Sequence, residues 1–506
     1  MQVKQGETSR SILKNVLFGF STWILPVGLS FSATPIIIKN LGNSEYGIYA
    51  LILGFVGYSF NFNLGRAITK YIAEYRISGE TDKLQDVISA TFFLNLLAGA
   101  LGVLIVCFGA EWLVINVLKL ETAAQNKSVI ALYIAALIIF CTSLNQVFNS
   151  IIQGLQRFDV YSKILNAGNF ALLTGNLLLA IYGYGLLSLL IWNLLIIIFS
   201  TVLFAVTAKR LLPEFKLSLK FKKETLALVL RYSAGIVGYQ ILSNFLLLFE
   251  RGWITRHLGP ENLTFYVVPM TLAIFIHSFI SSLIIVIFPL ASELKNEPEK
   301  LLRLYTKATK TVCFLVFFFA AALIVGGNLF LILWMGAPFA RQTYPLLVIH
   351  TITFGIVAIQ TISWQMTEGL GKPAHNFYIF AVCLIINMSM ILNLTDSLGN
   401  VGIAFGRLAG FGTIFLSVFY IEKWAFQKVQ VKFWLKLLGI LTTATVISVA
   451  VMKIIGGYLP PTWISLAAEV ICGGLVYLSA VWMLGFVTED EKKLIGRLFI
   501  GRSNNA

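Results

Sequence analysis

The 506-residue chain is 58% apolar and only 12% charged, and its mean hydropathy is +0.84. Soluble domains carry about 25% charged residues, so this apolar excess is too large for a core surrounded by water. The composition therefore predicts a membrane protein and excludes a soluble globular one. The formal net charge of +15 must be explained by where the basic residues lie.

Fourteen apolar segments are long enough to cross a bilayer as helices, which takes about 17–25 residues. The first is too long for a signal-peptide core and has no cleavage site, so we expect it to be retained. The weakest division separates the fifth and sixth segments, where only Gly183-Tyr184-Gly185 marks a turn. The predicted spans are 14–38, 46–64, 87–110, 129–152, 162–182, 185–208, 230–252, 264–289, 308–333, 343–366, 375–395, 401–421, 434–456 and 463–487.

The basic residues indicate the orientation of these spans. An even number of spans places both termini on one side, here predicted to be the cytoplasm. Of the 38 Lys and Arg residues, 30 then lie in cytoplasmic segments or the adjoining turn of a span, and six lie in outer segments. The other two, Arg251 and Arg407, lie inside spans. This distribution follows the positive-inside rule, so the positive charge gives no indication of nucleic-acid binding.

The connections between spans are too short to hold a soluble catalytic or nucleotide-binding domain. The sequence contains no P-loop, no H-E-x-x-H motif and no Cys/His spacing typical of a metal site. Its five cysteines lie in apolar runs and are interpreted as small packing residues. We therefore expect a protein that is not an enzyme and holds no metal or cofactor.

Short motifs at corresponding loops indicate an internal repeat of six spans. Six is an even number, so the two copies share one orientation and are expected to form two parallel six-helix lobes around a central cavity. Spans thirteen and fourteen are appended. The matched segments are 39–42 with 256–259 and 79–84 with 296–301, both 217 residues apart, and 153–157 with 368–372, 215 residues apart.

The repeat predicts an all-α polytopic membrane protein with about 14 transmembrane helices. Its expected segments are an N-lobe over 1–210, a C-lobe over 211–425 and the two appended spans with a cytoplasmic tail over 426–506. Parallel repeats of this kind are typical of secondary transporters that open alternately to each side of the membrane.

Several segments resemble the bacterial polysaccharide flippases of the multidrug/oligosaccharidyl-lipid/polysaccharide exporter superfamily. The resemblance covers essentially the whole chain, including the number of spans. The segments that carry it are 35–50 with Leu41-Gly42 and Tyr46-Gly47-Ile48-Tyr49, Ala73-Glu74-Tyr75, Gln153-Gly154-Leu155-Gln156-Arg157-Phe158, Phe249-Glu250-Arg251 and Leu258-Gly259-Pro260-Glu261.

The resemblance implies transport of undecaprenyl-diphosphate-linked oligosaccharide repeat units from the cytoplasmic to the outer leaflet of the bacterial inner, or plasma, membrane. The glycan would enter O-antigen, capsule or exopolysaccharide. The implied partners are this lipid-linked glycan, membrane lipid, a coupling ion (H⁺ or Na⁺), and polysaccharide polymerase and chain-length proteins.

Three other functions are alternatives to the polysaccharide flippase. An ion-coupled drug or toxin exporter of the same superfamily should need acidic groups in its cavity, whereas the spans hold two acids, Glu250 and Glu469, beside two arginines. A glycan polymerase or ligase usually has a large outer loop, and none is present here. The interpretation as a lipid II flippase is less favoured, because the first two spans are uncharged. No charged residue lies between Lys14 and Lys39 or from Tyr46 to Leu64.

Ionisable residues inside spans are costly and mark candidate sites. Glu250 and Arg251 are the strongest candidates, because an arginine fork suits a diphosphate and the equivalent positions of the first repeat hold Ala33 and Thr34. We expect Arg251 to contact the diphosphate or an anionic sugar, and Glu250 either to orient Arg251 or to take up a coupling proton.

Other candidates follow from their positions along the spans. Arg407 in span twelve, Arg66 at the cytoplasmic end of span two and Arg256 at the outer mouth of span seven are further candidate substrate-binding residues. His277 and His350 lie mid-span and could titrate near physiological pH, which makes them candidates for ion coupling.

Glu469 in span fourteen lies outside the repeat. We expect it to pair with Lys453 on the neighbouring span and to have a structural role.

Overall fold

The computed structural model describes residues 27–58, 65, 68–69, 71–72, 75, 80–214, 216–284, 287, 290–291 and 294–487. These residues form helices and short connections, with no strand among them. The helices are α1 Val27–Leu41, α2 Asn43–Tyr58, α3 Thr81–Trp112, α4 Thr122–Gly154, α5 Phe158–Ile181, α6 Leu186–Leu211, α7 Lys223–His257, α8 Pro260–Leu283, α9 Pro298–Met335, α10 Ala337–Gly369, α11 Pro373–Thr413, α12 Leu416–Ala425, α13 Val431–Tyr458 and α14 Trp463–Met483.

The predicted all-α membrane architecture is confirmed. Ten helical segments within the described ranges are long and apolar enough to cross a membrane. Within the described residues, the fourteen predicted spans fall in order on helices α1 to α14, and the helices extend past most of the predicted ends. Parts of spans one, two and eight lie outside the described residues. The extensions are longest where the first turns of a helix are polar, because hydropathy does not assign polar residues to a span. For example, α9 begins at Pro298, whereas the predicted span nine begins at residue 308. Proline suits a first turn because its missing N–H would have no helical partner there.

Two glycines divide neighbouring spans where the sequence predicted a division. Gly183 has φ +78° and separates α5 from α6. Gly399 has φ +56° and breaks α11 between spans eleven and twelve. These backbone conformations are strained for any residue with a β-carbon, so glycine is the residue that lets the chain turn here.

Span twelve differs from its prediction as a single helix. After Gly399 the chain is helical to Thr413, and α12 follows as a separate helix. The connection is a tighter turn, in which the Phe415 and Ser417 amides donate to carbonyls three residues earlier. A run of apolar residues does not predict such a change, because a tighter turn and an α-helix can have the same apolar composition.

The chain divides at Phe265 and Tyr266 into two compact units. In the first unit α4 is central: it packs against α2, α3, α5 and α6, and 56% of its apolar stretch is buried, against 11–22% for α3, α5 and α6. The division at residue 265 follows compactness, whereas the predicted segments 1–210, 211–425 and 426–506 follow the repeat and stay a prediction.

In the second unit α10 has the corresponding place. It packs against α9, α11 and α12, and 78% of its apolar stretch is buried, against 22–28% for the other long apolar helices that lie wholly in this unit. The appended helices α13 and α14 pack on each other and on α9. Spans four and ten are equivalent in the repeat, so each unit is built around the same member of the six-span pattern.

Candidate functional site

Two adjacent charged residues are buried in the C-terminal third of α7. The exposed fraction is 1% for Glu250 and 8% for Arg251, and α7 packs against α2 and α3. Charges within an apolar helix bundle cost several kcal/mol unless partners compensate them. The burial therefore distinguishes this pair from the solvated charges at the helix ends.

The surface of α2 is shaped to receive the Arg251 side chain. Arg251 Nη1 donates to the backbone carbonyl of Ala50. A β-carbon at Gly54 would lie 2.8 Å from Arg251 Cδ and 2.9 Å from Nη1, so the missing side chain at Gly54 leaves space for the guanidinium. Ala50 and Gly54 are one turn apart on the same face of α2. Together they form a notch, which we call the Ala50–Gly54 notch.

Tyr46 lies one turn before Ala50 on that face. Its hydroxyl hydrogen-bonds with Thr34 and is close enough to Arg251 for an electrostatic interaction. A guanidinium presents a planar fork of N–H donors that matches the oxygens of a phosphate or carboxylate. This part of the first unit can therefore bind an anion at Arg251 while polar groups of α2 hold the side chain in place.

Two amides on α7 belong to the same face as Arg251 and were missed from the sequence. Gln240 and Asn244 are four residues apart, and Asn244 precedes Arg251 by seven, a spacing that places all three on one helix face. Gln240 Oε1 and Asn244 Nδ2 are buried and have no hydrogen-bond partner among the described residues. Their spacing is present in the sequence, but neutral amides in a helix lack the high cost that makes an intramembrane charge stand out.

Arg256 lies at the exposed C-terminal end of α7, away from the buried pair. Its Nη1 donates to the backbone carbonyl of Val117 over 3.2 Å, which joins the end of α7 to the segment after α3. The neighbouring His257 stacks on Trp253 with 3.8 Å between ring centroids, and its Nδ1 is 3.1 Å from the Trp253 carbonyl. Both side chains therefore contact protein groups at this helix end.

Arg407 is buried in the second unit, with an exposed fraction of 1%. Its Nη1 donates to Met270 Sδ over 3.1 Å, and its guanidinium carbon lies 5.7 Å and 5.3 Å from the ring centroids of Phe354 and Phe411. Cation–π contacts of this kind stabilise a buried guanidinium without neutralising its charge. Arg407 is therefore a cationic centre in an aromatic and thioether setting.

His350 lies close to Arg407, although the two residues were predicted separately. It is fully buried in α10, within electrostatic range of Arg407, and its ring meets that of Tyr266 edge-on at 4.7 Å. Neither ring nitrogen has a hydrogen-bond partner among the described residues. Buried polar groups are nearly always paired, so His350 is a candidate for a role beyond packing.

His277 has a different setting, in α8. It is partly buried, and its Nε2 lies 3.2 Å from Ser281 Oγ one turn later in the same helix. This is the arrangement of a hydrogen-bonded packing residue, and the structure does not bring His277 together with His350.

A third buried carboxylate, Glu422, directly follows the predicted end of span twelve at residue 421 and is completely buried near the end of α12. It accepts hydrogen bonds from Tyr305 Oη at 2.8 Å, Trp434 Nε1 at 2.6 Å and the Gln430 amide at 2.8 Å. These donors come from α9, α13 and the turn before α13. Glu422 therefore joins the appended helices to the second unit.

The expected pairing of Glu469 with Lys453 is wrong. No ion pair joins them in the part of the chain that the structure describes, where Lys453 is exposed and Glu469 is buried. The Glu469 carboxylate packs against Gly456, where a β-carbon would lie 3.3 Å from it. Spacing along the sequence places the two residues on neighbouring helices but does not predict which of them is buried.

Tyr49 forms a neutral polar cluster in the first unit. Its hydroxyl accepts from Asn176 Nδ2 in α5 at 3.2 Å and from Asn193 Nδ2 in α6 at 3.1 Å, and all three side chains are buried. None of the three is charged, so the criterion of charge within a span does not predict this cluster.

Four of the predicted site residues thus form two pairs, one in each unit. Glu250 and Arg251 are adjacent on α7, and Arg407 and His350 lie together in the second unit. Arg66 lies outside the described residues.

Comparison with known proteins identifies the family. The family model described as polysaccharide biosynthesis protein matches residues 39–341, more than half of the chain. Over 408 residues the chain is 21% identical to a Shigella flexneri protein whose name assigns it to O-antigen transport, covering 78% of this chain and 93% of that protein.

Solved structures show the same fold. The lipid II flippase MurJ in an inward closed conformation aligns with a TM-score of 0.67 at 15% identity, covering 93% of this chain and 99% of that one. An inward-facing multidrug resistance MATE family transporter of the MOP superfamily aligns with a TM-score of 0.63 at 14% identity, covering 82% and 94%. The chain belongs to the polysaccharide biosynthesis protein family and has the fold of the MurJ and MATE transporters.

Proposed function

We propose that this protein is a secondary transporter that moves undecaprenyl-diphosphate-linked oligosaccharide repeat units from the cytoplasmic to the outer leaflet by alternating access, and that it is not an enzyme. The family match and the name of the Shigella flexneri relative support a role in polysaccharide export. The fold shared with MurJ and a MATE transporter supports transport as the activity.

The buried Arg251 is the observation that carries this proposal. A diphosphate crossing the hydrocarbon must exchange its water for fixed donors, and an arginine stays protonated while it provides them. Arg251 meets this need because it is buried in α7 and held by the Ala50–Gly54 notch. The diphosphate oxygens replace the Ala50 carbonyl as acceptors, and Glu250 orients the guanidinium or takes up a coupling proton.

The second unit supplies the other cationic group. Arg407 serves as a further anion contact, for the diphosphate or an acidic sugar, and His350 beside it is the candidate for proton coupling. An anion at Arg407 would reduce the positive potential at His350 and favour its protonation, which links substrate binding to proton binding. His277 remains a weaker candidate for ion coupling because Ser281 already pairs with it.

The proposed transport also involves the lipid, the membrane and other proteins. The polyprenyl tail stays in the lipid while the headgroup passes through protein. The protein lies in the bacterial inner membrane with both termini cytoplasmic, where Arg66 and its neighbours meet the arriving diphosphate. H⁺ or Na⁺ drives the cycle, and polysaccharide polymerase and chain-length proteins act on the exported glycan.

Deleting the gene and restoring it as the Arg251→Ala variant tests the proposal. Loss of the protein should leave the lipid-linked oligosaccharide on the cytoplasmic face. Arg251→Ala should lower glycan export about 10- to 100-fold, because a hydrogen bond to a charged group contributes about 1.5–3 kcal/mol. Surface glycan is measured with protein abundance, and Arg231→Ala, at an exposed arginine of the same helix, is the control.

Wild-type export by Arg251→Ala at normal abundance would exclude the proposed role of Arg251. Normal surface glycan without intracellular accumulation, in a strain lacking any second flippase, would exclude the function itself. Resistance to cationic drugs on overexpression would support the exporter alternative instead.

A further inference from the structure

Polar side chains of α7 continue from Arg251 toward the N-terminal end of the helix. Gln240, Asn244, Arg251 and Thr255 follow one another at intervals of four, seven and four residues, so they share one face. Thr255 Oγ1 donates to the Arg251 carbonyl at 2.8 Å and so stays on its own helix. On this face, Gln240 and Asn244 are the residues with polar atoms that form no hydrogen bond to a described residue.

Each amide has a buried polar atom without a partner in the described part of the chain. For Gln240 the atom is the acceptor Oε1, and for Asn244 it is the donor Nδ2. A buried polar group without a hydrogen-bond partner is unfavourable, and lipid offers no group that could pair with it. Two such atoms one turn apart, on the face that also carries Arg251, indicate a polar ligand.

The spacing suits an elongated ligand with a charged end. With a rise of about 1.5 Å per residue, Asn244 lies about 10 Å and Gln240 about 16 Å from Arg251 along the helix axis. A diphosphate held at Arg251 cannot reach both amides, but a short chain of sugars attached to it can. Amides both donate and accept, which matches hydroxyl groups, because these also do both.

We propose that Gln240 and Asn244 bind the hydroxyl groups of the saccharide attached to the diphosphate. One face of α7 then contacts the charged diphosphate through Arg251 and the sugars through the two amides. This inference rests on the proposed function, because it takes Arg251 as the diphosphate contact. The polyprenyl tail, which has no hydrogen-bonding groups, is not the ligand of this face.

Two ligands, one with and one without the saccharide on the diphosphate, test the inference. The full-length protein in lipid nanodiscs is titrated with undecaprenyl diphosphate and with the lipid-linked oligosaccharide purified from the deletion strain. Gln240→Leu and Asn244→Leu should each weaken binding of the oligosaccharide-bearing ligand about three- to tenfold and leave binding of undecaprenyl diphosphate unchanged. Arg251→Gln should weaken binding of both.

Matched variants control for effects on folding. Phe245→Leu places leucine next to Asn244 at an exposed position of another face and should bind both ligands as the wild type does. Gln240→Asn and Asn244→Gln keep an amide and should recover part of the affinity. If a leucine variant does not give a monodisperse protein, the alanine variant at the same position replaces it.

The outcomes separate this inference from the proposed function. Equal effects of the amide variants on both ligands, or no effect on either, would overturn the saccharide contact while Arg251→Gln still weakens binding. If Arg251→Gln binds both ligands normally, the diphosphate site itself is wrong and the inference fails with it.

Discussion

Single residues decide how charge is held inside this protein. Arg251 depends on a glycine of another helix for its space, and Arg407 depends on two aromatic rings and a thioether. The sequence identified both arginines, because charge inside an apolar run is conspicuous. It could not identify the groups that hold them, because these are carbonyls, rings and missing side chains that carry no distinctive residue pattern.

The Ala50–Gly54 notch gives a prediction at this scale. Gly54→Ala would bring a β-carbon to 2.8 Å from Arg251 Cδ, and the flexible arginine would move away. We expect glycan export to fall about tenfold while the free energy of unfolding changes by less than about 1 kcal/mol. The matched control is Gly57→Ala, three residues later in α2, where a β-carbon would meet no atom within 4 Å. Equal export by the two variants would show that the notch does not position Arg251.

Glu422 gives a second prediction. Glu422→Ala leaves the donors of Tyr305, Trp434 and Gln430 without their acceptor, and we expect the free energy of unfolding to fall by about 3 kcal/mol. Glu422→Gln keeps one acceptor oxygen and should cost less. Thermal unfolding of the detergent-solubilised protein measures both, with the exposed Glu299→Ala on α9 as control. A loss no larger than that of Glu299→Ala would mean that the three hydrogen bonds do not hold α13 in place.

At the scale of helices, hydropathy predicts where a segment crosses the membrane but not how far it extends beyond. The order of the fourteen spans was predicted because a spanning helix must satisfy its backbone internally over a fixed thickness. Span twelve was predicted as one helix and is two, since the turn between Thr413 and Leu416 leaves the apolar composition unchanged. Gly183 and Gly399 mark divisions that the sequence located, because glycine is the residue that such turns require.

Gly399 gives a prediction for the division between spans eleven and twelve. Gly399→Ala puts a β-carbon on a residue with φ +56° and ψ −135°, which should cost about 1–3 kcal/mol although no atom lies within 4 Å. Gly439→Ala in α13, where the helical backbone has ordinary angles and space is also open, should leave the unfolding temperature unchanged or raise it. A Gly399→Ala variant as stable as Gly439→Ala would show that the turn tolerates a side chain.

For the whole molecule, the six-span repeat has a counterpart in packing. The first unit is built around α4 and the second around α10, which are the fourth and tenth spans. Tyr49 and Tyr266, 217 residues apart like the matched loops, each contact a buried polar group of their own unit. Tyr49 contacts two neutral amides, whereas Tyr266 contacts His350, which lies near Arg407. The two repeats therefore have a tyrosine at equivalent positions but differ in the charge near it.

The charge distribution predicts the orientation of the whole chain. Alkaline phosphatase fused after Lys119, between spans three and four, should be exported and active. The same enzyme fused after Lys220, between spans six and seven, should stay inactive in the cytoplasm, because that segment carries a dense run of lysines. Activity at both fusion sites, or the reverse pattern, would contradict the predicted topology.

The sequence by itself determined the class of the protein, the order of its spans, the repeat and the identity of the charged residues within it. These follow from local composition, because each segment that crosses the lipid must be apolar and must satisfy its own backbone hydrogen bonds. The tertiary structure alone decided which groups meet: Arg251 with the Ala50–Gly54 notch, Arg407 with His350, and Glu422 with three donors rather than Glu469 with Lys453. Such contacts depend on the rotation of each helix about its axis and on the space its neighbours leave, and neither is encoded in any single segment.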